Sequence, residues 1–165
     1  MKEKKKLYIL SGIPGCGKST WARNMMKKDE NIDVISRDKI RFSMVNEENG
    51  YFSREDEVFN KYVENIILSL LNIMNSGTIA DATQVSAASR AKLVMAIKNR
   101  WPDFEEEVDV IIVYFHVPFD TCVERNNGRT GREKVPLPIL KRMEKQHELP
   151  AIEYKNHVAT YIVRD

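Results

Sequence analysis

The run "GIPGCGKST", residues 12–20, constrains this chain more than any other feature. It follows the apolar run Leu7-Tyr8-Ile9-Leu10 and precedes a segment of helical character. Residues Gly12 to Ser19 fit G-x-x-x-x-G-K-[ST] in the strand-then-helix context that gives the pattern its meaning. Gly12, Gly15 and Gly17 let the backbone turn tightly and aim its N–H groups at phosphate oxygens. A helix starting near Lys18 adds the positive end of its dipole. Lys18 is then placed to bridge the β- and γ-phosphates of ATP, and the Ser19 hydroxyl to ligand Mg²⁺. The expected nucleotide contacts run through Gly12, Pro14, Gly15, Cys16, Gly17, Lys18, Ser19 and Thr20.

A strand feeding a loop and then a helix points to an α/β fold, and the rest of the chain repeats that alternation. Apolar runs at 6–10, 32–36, 77–81, 108–117 and 157–165 read as strands. The fourth is apolar without alternation, as expected of a strand covered on both faces by helices. Val58, Tyr62, Ile66, Leu70 and Met74 recur every four residues. They predict one long amphipathic helix over 54–75, closed by Ser76-Gly77. The expected architecture is a P-loop NTPase fold with about five parallel strands and helices on both faces. At 165 residues, with no repeat or linker to split it, the chain reads as one domain over 1–165.

Composition narrows the class further. Hydrophobic residues at 42% and charged residues at 30% suit a soluble globular protein. No run reaches the ~20 apolar residues of a membrane helix, and the opening "MKEKKK" leads into a strand rather than a secretory segment. Cys16 and Cys122 alone make neither a disulfide framework nor a metal site. A reducing, cytoplasmic setting is expected. A net charge of +2 neither announces nor excludes a nucleic-acid partner, since phosphate contacts need only a local basic patch.

Binding a triphosphate leaves the acceptor open. The second strand ends in "ISRDKIRF", where Asp38 would project toward the phosphates and Arg41 would share its helix face. A carboxylate can take the proton of an attacking hydroxyl, and an arginine can clamp an anionic group of the same substrate. The same two residues would also arise as a helix cap and its ion pair. Asp81, ending the third strand in "ADATQ", is placed to hold a Mg²⁺-bound water or orient Ser19, or else to cap a helix. Arg125, Arg129, Arg132 and Lys134 crowd a loop holding Gly128 and Gly131, which describes a lid closing on phosphates. The polar stretches 46–56 and 126–134 read as exposed borders of the site.

Taken in order, "GIPGCGKSTWAR", "ISRDKIR", "DATQ" with Arg90 six residues beyond Gln84, and "ERNNGRTGREKVP" resemble the kinase domain of phage-type polynucleotide 5′-hydroxyl kinases, over most of the chain. The resemblance implies that Asp38 is the general base on a 5′-hydroxyl and that Arg41 binds the acceptor's phosphate. It implies that a lid arginine contacts the transferring phosphate, matching Arg129 best, and that Arg125 packs near the adenine. Gln84 stands where relatives often have asparagine, and the lid is slightly longer, so Arg132 stays an alternative to Arg129 beside the nucleotide. No phosphatase domain is expected to follow. The implied reaction is γ-phosphate transfer from ATP, with Mg²⁺, to 5′-OH ends of DNA or RNA. No obligate protein partner is implied. A small P-loop kinase acting on a metabolite, nucleoside or antibiotic is the rival expectation, sustained by the low net charge.

Overall fold

The structure, a computed structural model, describes residues 3–46 and 52–164. Its centre is a five-stranded sheet in the order β2-β3-β1-β4-β5, from β1 (Lys5–Ser11), β2 (Ile32–Ser36), β3 (Gly77–Asp81), β4 (Val108–His116) and β5 (His157–Arg164). Every neighbouring pair is parallel. Parallel neighbours need long crossovers, and these are supplied mostly by helices. They are α1 (Lys18–Lys28), α2 (Arg37–Met44), α3 (Glu55–Leu71), α4 (Ala87–Arg100), α5 (Phe104–Glu107), α6 (Phe119–Asn127) and α7 (Leu137–Gln146).

The strands alternate between two cores, although both of their faces are apolar. Leu7 and Ile9 of β1, with Val108, Val110 and Ile112 of β4, join Tyr62, Ile66, Leu93 and Phe104 on one side. Tyr8 and Leu10, with Ile111, Val113 and Phe115, join Ala22 and Cys122 on the other. Each fully buried aliphatic or aromatic side chain contributes about 1.5–3 kcal/mol relative to exposure. This two-sided burial explains why β4 shows no polar alternation.

The long helix is shorter than its apolar period predicts. Val58, Tyr62, Ile66 and Leu70 are buried, but α3 stops at Leu71, and Ile73 and Met74 are 90% and 70% exposed. The chain turns at Asn72, whose N–H donates to Ser69 O. The Lys5 ammonium donates to Leu70 O and Asn72 O, satisfying carbonyls at the helix's negative end. Gly77 opens β3 instead of closing the helix, pairing in register with Lys6 and Ile32.

From β1 the chain runs outward to β2, returns as β3, then crosses β1 to β4. The direction of winding therefore reverses at β1, and a crevice lies beyond the carboxyl ends of β1 and β3. Residues 14–20 and Asp81 sit there. The sheet has placed the phosphate-loop motif and the acidic strand end side by side.

Candidate active site

The loop after β1 is shaped by two left-handed glycines. Gly15 has φ +87°, and a Cβ there would stand 2.5 Å from Cys122 O. Gly17, at φ +101°, is the N-cap of α1, so the helix begins at Lys18 as the motif requires. Gly12 keeps a negative φ but has no room, since a Cβ would meet Cys16 Sγ at 2.5 Å. Lys18 folds over the loop, donating from Nζ to Gly12 O at 2.9 Å and Ile13 O at 3.0 Å. Residues Pro14 through Thr20 line a cavity of 840 Å³ that also includes Asp81, Asp38, Arg125 and Arg129. Gly12 lies behind this wall, its N–H donated to Thr83 O at 2.9 Å.

A second cavity, 420 Å³, opens on the far side of Asp38. Arg37, Arg41, Phe42, Phe52, Glu55 and Arg132 contribute to its lining. Asp38, Pro14, Phe42, Ala82 and Thr83 border both cavities. The Asp38 side chain is 62% exposed. It is not the cap of α2: Ser36 is, its hydroxyl accepting from Lys39 N at 3.2 Å. Asp38 is left at the junction between the two cavities.

Arg41 is only 7% exposed and is held from two sides. Nη1 pairs with Asp38 Oδ1, while Nε and Nη2 donate to Glu55 Oε1 at 2.6 Å and Oε2 at 3.0 Å. Arg37 Nη2 also donates to Glu55 Oε2 at 3.0 Å. Burial pushes the Glu55 carboxyl up, but the bonds and charges of Arg41 and Arg37 outweigh it and hold it below the usual range. The sequence reading missed Glu55. The acid-rich start of α3 signals a helix N-terminus, without showing which carboxylate meets Arg41.

The lid arginines separate. Arg125, in the last turn of α6, donates from Nη1 to Gly15 O at 3.2 Å. Arg129 faces the phosphate-loop cavity with it. Arg132 does not join them: it lines the second cavity, donating from Nη1 to Phe42 O at 2.9 Å and from Nη2 to Val45 O. Arg132, expected beside the nucleotide, instead lines the second cavity. Of the exposed stretch expected at 46–56, residues 47–51 lie outside the described residues.

Asp81 shares the larger cavity with Ser19 and Lys18. Burial pushes its carboxyl above the ordinary range, against the pull of the Lys18 ammonium. Among the described residues no cluster of three or more His, Cys, Asp or Glu side chains forms a closed metal cage. One hydroxyl and one carboxylate on an open wall still fit Mg²⁺, which keeps waters and takes phosphate oxygens. Gln84 belongs to the frame: at φ +40°, it is buried and donates to Leu10 O at 2.6 Å while accepting from Tyr62 Oη at 2.9 Å. Arg90 is also frame. It is fully buried and bidentate to Glu153 at 2.9 and 3.0 Å, with Ser11 Oγ and Gln84 O as further acceptors.

A family profile described as an AAA domain, AAA_33, matches residues 7–150, and the chain belongs to this family. The chain is 26% identical over 152 residues to L-seryl-tRNA(Sec) kinase of Methanococcus maripaludis, covering 90% of this chain and 54% of that protein. It is 30% identical over 127 residues to adenylate kinase of Thermococcus kodakarensis, covering 73% and 54%. The chain spans about half the length of the curated relatives it matches. A fungal RNA kinase superposes with a TM-score of 0.72 at 13% identity, over 100% of this chain and 79% of that one. A chain of the Pnkp1/Rnl/Hen1 RNA repair complex gives 0.64 at 23% identity, over 88% and 45%. The fold is that of P-loop kinases. No helix among the described residues is long and apolar enough to cross a membrane.

Proposed function

We propose that the chain is an ATP-dependent kinase that moves the γ-phosphoryl group to the 5′-hydroxyl end of DNA or RNA. The observation that carries this reading is Asp38, bordering at once the phosphate-loop cavity and the cavity of Arg41. A general base must touch the acceptor hydroxyl while the donor phosphate lies in line behind it. In this reading Lys18 and the loop amides hold the β- and γ-phosphates, and Arg125 and Arg129 close over them. Asp38 takes the hydroxyl proton. Mg²⁺ held at Ser19 and Asp81 would neutralise phosphate charge.

The acceptor side combines aromatic Phe42 and Phe52 with Arg37, Arg41 and Arg132. Flat apolar faces for a base beside guanidiniums for phosphates suit a nucleotide end better than a sugar or antibiotic. A small-molecule acceptor is favoured by one observation, that Arg41 is already gripped by two carboxylates. Labelled γ-phosphate transfer decides between them. The acceptors are 5′-OH DNA and RNA oligonucleotides, nucleoside 3′-monophosphates, plain nucleosides and a panel of small alcohols. Oligonucleotides and 3′-monophosphates should be phosphorylated far better than plain nucleosides. Equal use of both would overturn the role of Arg41 and support a small-molecule acceptor.

A further inference from the structure

Arg132 sits in the 3-10 turn Gly131–Glu133, at the tip of the lid. Gly131, at φ +59°, turns the chain just before it. From there the guanidinium reaches the C-terminal end of α2. Nη1 donates to Phe42 O at 2.9 Å and Nη2 to Val45 O, while the guanidinium carbon lies 5.2 Å from the Phe42 ring centroid. Carbonyls of a last helical turn lack intrahelical donors and carry the negative end of the dipole. A two-pronged cation is the matching partner.

The base of the lid is fastened separately. Buried Asn126 accepts from Val135 N at 2.9 Å and donates from Nδ2 to Val135 O at 2.8 Å, closing the loop 127–134 with a backbone-like pair. The lid is therefore stapled at its base and tied at its tip. The tie crosses to the wall that carries Asp38 and Arg41, because all three residues lie on or against α2.

We infer that Arg132 is a positioning residue that latches the lid to the acceptor wall, so that the acceptor cavity is completed by the lid and not by α2 alone. This rests on the kinase reading above, but the latch itself is a contact that can be measured without any reaction. Lid position and acceptor affinity should then move together when Arg132 is changed, and nucleotide affinity should not follow.

The test uses the full chain with Arg132→Ala and Arg132→Lys, each first checked for its unfolding midpoint. Limited trypsin digestion, well below that midpoint, reads cleavage after Arg129. Loss of two charge-assisted bonds at a lid tip should speed this cleavage by roughly tenfold in Arg132→Ala. Arg132→Lys, able to reach one carbonyl, should fall between the two. In parallel, the KM for a 5′-OH oligonucleotide should rise by about tenfold, while calorimetric ADP affinity changes less than about twofold. Unchanged cleavage after Arg129 in the alanine variant overturns the latch. So does a loss of ADP affinity equal to the loss for the acceptor. A wild-type protein that phosphorylates no oligonucleotide refutes the proposed function instead, and the digestion still judges the latch.

Discussion

Glu55 meets Arg41 with both carboxylate oxygens, through Nε at 2.6 Å and Nη2 at 3.0 Å, and so fixes the plane of a nearly buried guanidinium beside Asp38. Glu55 opens α3 and Arg41 lies in the last turn of α2, so the pair also ties the two helices beside the second cavity.

Glu55→Gln should weaken both functions of this pair. An amide offers one acceptor oxygen in place of two and removes the charge, for a loss of about 1–3 kcal/mol. The unfolding midpoint should drop by roughly 3–10 °C in a domain of this size. The acceptor KM should rise about tenfold with ADP affinity unchanged, because Arg41 loses its orientation. Thermal unfolding and steady-state kinetics check both, and an unaltered acceptor KM would detach Glu55 from the site.

Much of the fold was legible because local chemistry encodes it. Five apolar runs became five strands, and Gly15 and Gly17 announced a loop that only glycine can make. The end of α3 was not legible. Its apolar period continues through Met74, yet the helix stops at Leu71 and a lysine on β1, some 65 residues away, takes its terminal carbonyls. The site divides the same way. Lys18, Ser19 and Asp38 lie in the first turn of helices that follow strands, and Asp81 ends one, so sequence could place them, whereas Glu55 and Glu153 meet their arginines only through the fold. Arg90 illustrates the cost of that blindness. It stood inside a suggestive motif, and its position is structural.

Arg90 should accordingly matter for stability before activity. Its removal leaves the Glu153 carboxylate unpaired in a buried setting, a loss of roughly 3–5 kcal/mol. Arg90→Met should lower the unfolding midpoint by on the order of 10 °C. Adding Glu153→Leu should recover much of that, since a buried pair replaced by apolar groups is often nearly neutral. Calorimetry on both single variants and the double variant closes the cycle. Additive losses would mean that the two residues are not coupled.

Lys18→Ala and Asp38→Asn should separate binding from chemistry. Lys18 holds phosphate before and during transfer, so its loss weakens ATP binding and turnover together. Asp38 borders the phosphate-loop cavity, and its side chain is largely exposed. Asp38→Asn should leave ATP affinity within about twofold while turnover falls roughly 10²-fold or more, the scale of a general base. Equilibrium ATP binding and single-turnover transfer give the two numbers. A fully active Asp38→Asn protein removes the base assignment.

Arg129 and Arg132 lie three residues apart on one lid, and their cavities assign them opposite effects. Arg129 borders the phosphate-loop cavity together with Arg125, where in the proposed reaction charge would grow on the β–γ bridge as the phosphoryl group leaves. An arginine that meets this charge only in the transition state acts on turnover and little on binding. Arg129→Ala should therefore lose about 10²–10⁴-fold in single-turnover rate at saturating ATP and oligonucleotide. Arg132→Ala, whose bonds go to Phe42 and Val45 carbonyls, should lose about tenfold or less once acceptor is saturating. The measurement is the same rate for both variants at several acceptor concentrations. If saturating acceptor fails to restore Arg132→Ala while Arg129→Ala retains most of its rate, the transition-state arginine is Arg132. The lid must then swing from the α2 carbonyls to the phosphates during turnover.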